Sequence, residues 1–105
     1  MSIENFTVLD NSSFDEFVGK YNGIILFFKK LCPHCKVMAT VLEKLKIQVP
    51  EINLAAVDSE DFPEIMEKSG VTRVPTLCVV KDGEIKAKKN GILNVRETMS
   101  FYNQS

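Results

Sequence analysis

The chain has 105 residues, 13 basic against 14 acidic, and a net charge of −1 at neutral pH. This length suits one domain over residues 1–105 with a single hydrophobic core and no need of covalent staples. A composition of 45% hydrophobic and 26% charged residues excludes a disordered or fibrous chain, and the balanced charge leaves no footprint for nucleic acid or an anionic membrane.

Met1-Ser2-Ile3-Glu4-Asn5 has neither the basic nor the apolar segment of a secretory leader, and no apolar run approaches membrane-spanning length. A cytoplasmic protein is expected, although a processed exported chain with an added Met1 would read the same way. Phe6 and Val8 alternate with polar neighbours and predict a short strand over residues 5–9. Ser13 and Glu16 have capping-box spacing ahead of Phe14, Phe17 and Val18, so a helix is expected over 13–20, ended by Asn22-Gly23. The unbroken run Ile24 to Phe28 reads as a strand buried on both faces, the centre of a sheet covered by helices. Cys32-Pro33-His34-Cys35 follows it. From Cys35 onward, Met38, Val41, Leu42 and Leu45 form a helical stripe that Pro50 closes.

Leu54 to Val57 predicts a third strand, and Asp61 with Pro63 opens a short helix that Gly70 caps. Val74 to Lys81 predicts a fourth strand, and Asp82-Gly83 ahead of Glu84-Ile85-Lys86-Ala87-Lys88 signals a hairpin into an antiparallel fifth. Lys86, Lys88 and Lys89 suit a charged sheet edge that resists pairing with other chains. Asn94 caps a last helix carrying Val95, Met99 and Tyr102. The order βαβαβαββα makes an α/β sandwich with a mixed sheet between two helical layers. Phe14, Phe17, Phe27, Phe28, Phe62 and Phe101 are expected core residues, and Asp58, Glu60 and Asp61 a solvated loop and helix start.

The chemistry lies in the two thiols three residues apart, where a strand ends and a helix begins. A helix start offers unpaired backbone N–H groups and the positive end of the dipole, both of which favour thiolate over thiol. Cys32 is therefore the expected nucleophile, and Cys35, one turn on, the resolving thiol that attacks the Cys32 sulfur after it has reacted. A reversible dithiol/disulfide cycle, thiol-disulfide oxidoreduction, is the leading function. His34 is the only histidine. It is either incidental surface or a donor that stabilises the Cys32 thiolate, and its enforced proximity favours the second. A metal-binding module is the reading from another class, but structural zinc wants four ligands, and beyond Cys32 and Cys35 only His34 and Cys78 are on offer. No metal or other cofactor is expected. Cys78, between Leu77 and Val79, is expected to be a small buried hydrophobe.

Together, the dithiol between a buried strand and a long helix, Val74-Pro75-Thr76, Lys81-Asp82-Gly83-Glu84, and Gly91 before the last helix resemble the thioredoxin family over nearly the whole chain. The resemblance implies the thioredoxin fold, a three-layer α/β/α sandwich around a mixed five-stranded sheet. It implies a monomer, disulfide-containing client proteins as partners, and a flavoprotein thioredoxin reductase that regenerates the dithiol. It also implies a cis Pro75 against the dithiol, where the Val74 backbone pairs with an extended substrate segment, with Leu31 and Arg73 beside it. An ordinary trans proline at a strand start is the alternative. Glutaredoxins, the glutathione-dependent branch, share the fold, but this chain has an extra first strand and helix and only Gly83 where they carry paired glycines. Lys29 or Lys30 would meet a glutathione carboxylate, unless both are a solvated lead-in to the loop.

The chain departs from the family pattern at the site itself. The family has Gly-Pro between its cysteines and a tryptophan before the first; here stand Pro33-His34 and Leu31. Pro33-His34 resembles the bacterial periplasmic disulfide-forming oxidant, so both residues are expected to tune the potential. The family's buried aspartate and its lysine partner fall at Leu26 and about Leu54, leaving water or His34 to accept the Cys35 proton. Thioredoxin at about −270 mV and the periplasmic oxidant at about −120 mV differ by about 7 kcal/mol. One hydrogen bond to a charged group supplies about 1.5 to 3 kcal/mol. An intermediate potential is expected.

Overall fold

The computed structural model describes residues 5–105; Met1 to Glu4, part of the stretch read above for a leader, lie outside them. In chain order the elements are β1 (Thr7–Val8), α1 (Asn11–Lys20), β2 (Gly23–Phe28), α2 (Pro33–Gln48), β3 (Asn53–Asp58), α3 (Pro63–Ser69), β4 (Thr76–Lys81), β5 (Glu84–Asn90) and α4 (Val95–Gln104). One sheet runs in the order β1-β3-β2-β4-β5. β1, β3 and β2 are parallel, β4 is antiparallel to β2, and β5 is antiparallel to β4.

Every residue of β2 is buried, which follows from its two strand neighbours and its two covered faces. Alternation along the strands divides the core in two. Ile24, Leu26, Leu54, Ala56 and Leu77 face α2 and α4, alongside Cys35, Met38, Leu42 and Leu45. Ile25, Phe27, Ala55, Val57, Cys78 and Val80 face α1 and α3, against Phe14, Phe17 and Ile65. This is the thioredoxin fold: a mixed five-stranded sheet between two helical layers.

Several boundaries differ from expectation. α1 starts two residues earlier, with Asp10 as N-cap: its carboxylate accepts the Ser13 N–H at 2.8 Å, and the Ser13 hydroxyl accepts the Asp10 N–H at 2.8 Å. Two overlapping capping boxes are written in the sequence, and the acidic cap prevails at the positive helix end. α1 ends at Lys20, and Gly23 belongs to β2, where a Cβ would run into the Asn53 carbonyl. β1 is only two residues long, and Val8 is exposed because it lies on an uncovered edge strand. β4 begins at Thr76, after Val74-Pro75 has turned the chain. The hairpin matches its signal, with Asp82 and Gly83 both at positive φ, 56° and 83°. Lys88 is more than an edge charge, since its Nζ donates to the Ser69 and Gly70 carbonyls at 3.2 Å each and closes the C-terminus of α3.

Candidate active site

Cys32 is the N-cap of α2 and Pro33 its first helical residue, where a missing N–H costs nothing. The helix start aims its free donors at the cap, and the Cys32 Sγ accepts the Cys35 N–H at 3.2 Å. Cys32 and Cys35 are joined as a disulfide, with Cα atoms 5.2 Å apart. Cys32 retains 7% of its surface and Cys35 none. Cys35 heads the buried stripe of α2, followed by Met38, Ala39, Leu42 and Leu45, and that stripe draws its sulfur inward.

Leu31 projects into solvent, 91% exposed. Pro33 and His34 are exposed too, and the His34 side chain makes no hydrogen bond with the described residues. The Val74–Pro75 peptide bond is cis. Val74 packs against the cluster that holds Cys32 and Cys35, and its N–H and C=O make no hydrogen bond with the described residues. The turn is braced around it. Thr76 Oγ1 donates to the Arg73 carbonyl at 2.6 Å, while the Gly91 N–H and the Asn90 side-chain amide both donate to the Pro75 carbonyl at 3.0 Å. Arg73 itself is exposed.

Two contacts escaped the sequence reading. The first is a link from α2 to the loop before α4: the buried Leu93 N–H donates to the Met38 sulfur at 3.2 Å. Residues 91–93 thus span from the cis-proline turn to the active-site helix, and Ile92 between the two anchors is exposed. The second is at Lys30. Instead of a solvated lead-in, its Nζ lies 2.9 Å from Asp58 and 3.0 Å from Asp61, and its N–H donates to Glu60 at 3.3 Å. Asp58 is buried, not part of a solvated loop. Burial alone would raise its carboxyl, but the Lys30 ammonium and the N–H groups of Glu60 and Asp61 outweigh that and hold it below the usual carboxylate range. Lys30 is pushed up in turn by Asp58 and then Asp61. The parallel pairing of β2 with β3, which sets Phe28 beside Asp58, is the signal that could have found this clamp.

Leu26 and Leu54 lie in the same apolar cluster as Cys35, with Leu26 paired to Ala56 and Leu77. Cys78 is on the other face of the sheet, and burial pushes its thiol up to about 12. Among the described residues no three His, Cys, Asp or Glu side chains gather into a metal site, and no helix is long and apolar enough to cross a membrane.

The model of the thioredoxin family matches residues 5–104. The chain belongs to the thioredoxin family. It is 30% identical to a thioredoxin of Chlamydia caviae over 97 residues, covering 92% of this chain and 95% of that one. In structure it is similar to reduced desulfothioredoxin from Desulfovibrio vulgaris Hildenborough, with 36% identity, full coverage of both chains and a TM-score of 0.82. It is also similar to oxidised mitochondrial thioredoxin 3 of Saccharomyces cerevisiae, with 25% identity, 95% coverage of each and a TM-score of 0.85. Within the thioredoxin family it is a thiol-disulfide oxidoreductase acting on disulfide-containing substrates, and the Cys32–Cys35 pair is its redox centre.

Proposed function

We propose that this chain works as a single-domain, monomeric protein disulfide reductase in which Cys32 attacks and Cys35 resolves. The observation that carries the reading is the Cys32 sulfur at the N-cap of α2, accepting the Cys35 N–H, on the accessible side of a disulfide whose other sulfur is fully buried. The donor favours sulfur that carries negative charge, so Cys32 is the better nucleophile and the better leaving group.

In the first step the Cys32 thiolate bonds to one client sulfur, and the client's other sulfur leaves as thiolate. In the second, Cys35 gives up its proton and attacks Cys32; the mixed disulfide breaks, and the second client thiolate departs and is protonated. Two electrons have moved to the client, and the chain holds the Cys32–Cys35 bond. The unpaired Val74 backbone would hydrogen-bond an extended client segment beside Pro75, with Leu31 and Arg73 flanking it. His34 would stabilise the Cys32 thiolate through its N–H, and Pro33 would fix the loop that sets the potential. A thioredoxin reductase returns the dithiol. One Cys-x-x-Cys pair with a separate free thiol is the cysteine usage of a reducing compartment, which supports a cytoplasmic setting.

Cys32→Ser should abolish reduction of a protein disulfide, and Cys35→Ser should accumulate a mixed disulfide visible as a mass adduct on Cys32. Full multiple-turnover activity in Cys35→Ser would replace the two-cysteine cycle with a one-cysteine mechanism.

A further inference from the structure

Three segments surround the redox pair: 29–37, which contains it; 72–74, before the cis bond; and 91–93, between its two anchors. They hold Lys29, Lys30, Lys36, Arg73 and His34 and not one carboxylate, in a chain of 13 basic and 14 acidic residues. The neighbouring acids Asp58, Glu60 and Asp61 gather on Lys30 and outnumber it, so Lys30 adds no free positive charge and the rim's free cations are Lys29, Lys36 and Arg73. Lys30 pairs with Asp58 and Asp61, and Glu60 accepts the Lys30 N–H. Lys29, Lys36 and Arg73 are exposed, and their side chains form no ion pair with the described residues. Lys29 also lines a cleft with Lys30, Leu31 and Glu60, formed by the residues that immediately precede Cys32 in the chain and by the turn after β3. Exposed apolar groups alternate with these cations: Leu31, Val37 and Ile92. The positive end of α2 adds to the same field.

We propose that this rim selects acidic partners: client segments in which the reactive disulfide is flanked by Asp or Glu and by apolar residues that cover Leu31 and Ile92. The inference rests on the reductase reading above and names its substrate class. Unpaired cations around an apolar contact steer an oppositely charged segment during encounter and discriminate against a basic one, with an effect that salt screens.

The test uses prereduced protein in a single turnover, so that two electrons and two protons pass from the Cys32–Cys35 dithiol to the peptide and no other reductant is needed. Three synthetic peptides share one intramolecular disulfide and one apolar core, and carry acidic, uncharged or basic flanks. Rates are read by rapid quench with an alkylating agent and mass analysis. At low salt the acidic peptide should react at least about tenfold faster than the basic one, and at about 0.5 M salt the ratio should fall toward about twofold. The double variant Lys29→Glu/Lys36→Glu should invert the order. The readout is a ratio within one sample, so any general loss of activity cancels, and the salt dependence of the unaltered chain decides alone if the variant does not fold. Equal rates for the acidic and basic peptides at low salt, with the uncharged one reduced, would overturn the acidic-partner assignment and leave the reductase standing. An unchanged ratio in a folded double variant would overturn it as well. Failure to reduce any of the three would overturn the reductase reading itself.

Discussion

Cys32 receives one backbone N–H, and the exposed His34 adds no hydrogen bond to it in the disulfide form. Any help from His34 therefore falls on the reduced state, where sulfur carries charge, and its ceiling is one charged hydrogen bond of about 1.5 to 3 kcal/mol, or roughly 30 to 60 mV. Equilibration with glutathione should place the chain above about −270 mV and well short of about −120 mV. His34→Gly should lower that value by up to about 60 mV and move the thiolate absorbance of Cys32 to higher pH. A potential at or below that of ordinary thioredoxin would remove the role given to His34. Cys78 presents the opposite case. Its thiol, pushed up to about 12 by burial, stays protonated at neutral pH, so alkylation of the reduced native protein should label Cys32 and spare Cys78 until the chain is unfolded. At this scale the sequence was informative because a Cys-x-x-Cys pair is local. The apolar surroundings of Cys35 could be named only through Leu26 and Leu54, whose meeting with it depends on the fold.

The loop over residues 91–93 is fastened to two different elements, through the Pro75 carbonyl and the Met38 sulfur. Met38→Leu keeps the volume and apolar character of the side chain but leaves the buried Leu93 N–H without its acceptor. An unsatisfied buried donor costs about 1 to 3 kcal/mol, and a thioether is a weak acceptor, so a loss of about 1 kcal/mol is expected. Hydrogen exchange should show the Leu93 amide opening faster while amides in the centre of β2 hold their relative protection. Uniform acceleration would mean a core effect instead. Element types and order were legible because β2, α2, the hairpin and α4 each carry their own period and cap. The ends were less so. Asp10-x-x-Ser13 and Ser13-x-x-Glu16 satisfy the same capping rule, and nothing local says that β1 lies at an uncovered edge.

Across the whole molecule, Lys30 ties the active-site loop to the turn after β3, and the pair has a pH window. The Asp58 carboxyl is lowered in the folded state, so its contribution is present above the unfolded value of about 3.9 and fades as acid protonates it. Lys30 is raised, so its contribution holds below about 10.4 and is lost as alkali passes its folded value. Stability measured against pH should be level between these limits and fall at both ends, and Lys30→Met should flatten both slopes. A Lys30→Met profile parallel to that of the unaltered chain would show that the clamp contributes nothing. The clamp joins residues nearly thirty positions apart, which periodicity cannot see but the register of β2 on β3 supplies.

The antiparallel pairing of β2 with β4 brings Phe27 beside Thr76, so the strand that leads out to the dithiol and the strand that returns from the cis-proline turn meet at one end of the sheet. Both strands are flanked on their outer sides, by β3 and β5. The two halves of the site are therefore set in one rigid frame, a fixed jaw with no hinge between its faces. A fixed jaw leaves the bending to whatever enters it. Disulfides in loops that can straighten across Val74 should be reduced, and those stapling two stiff strands should wait until their own protein opens.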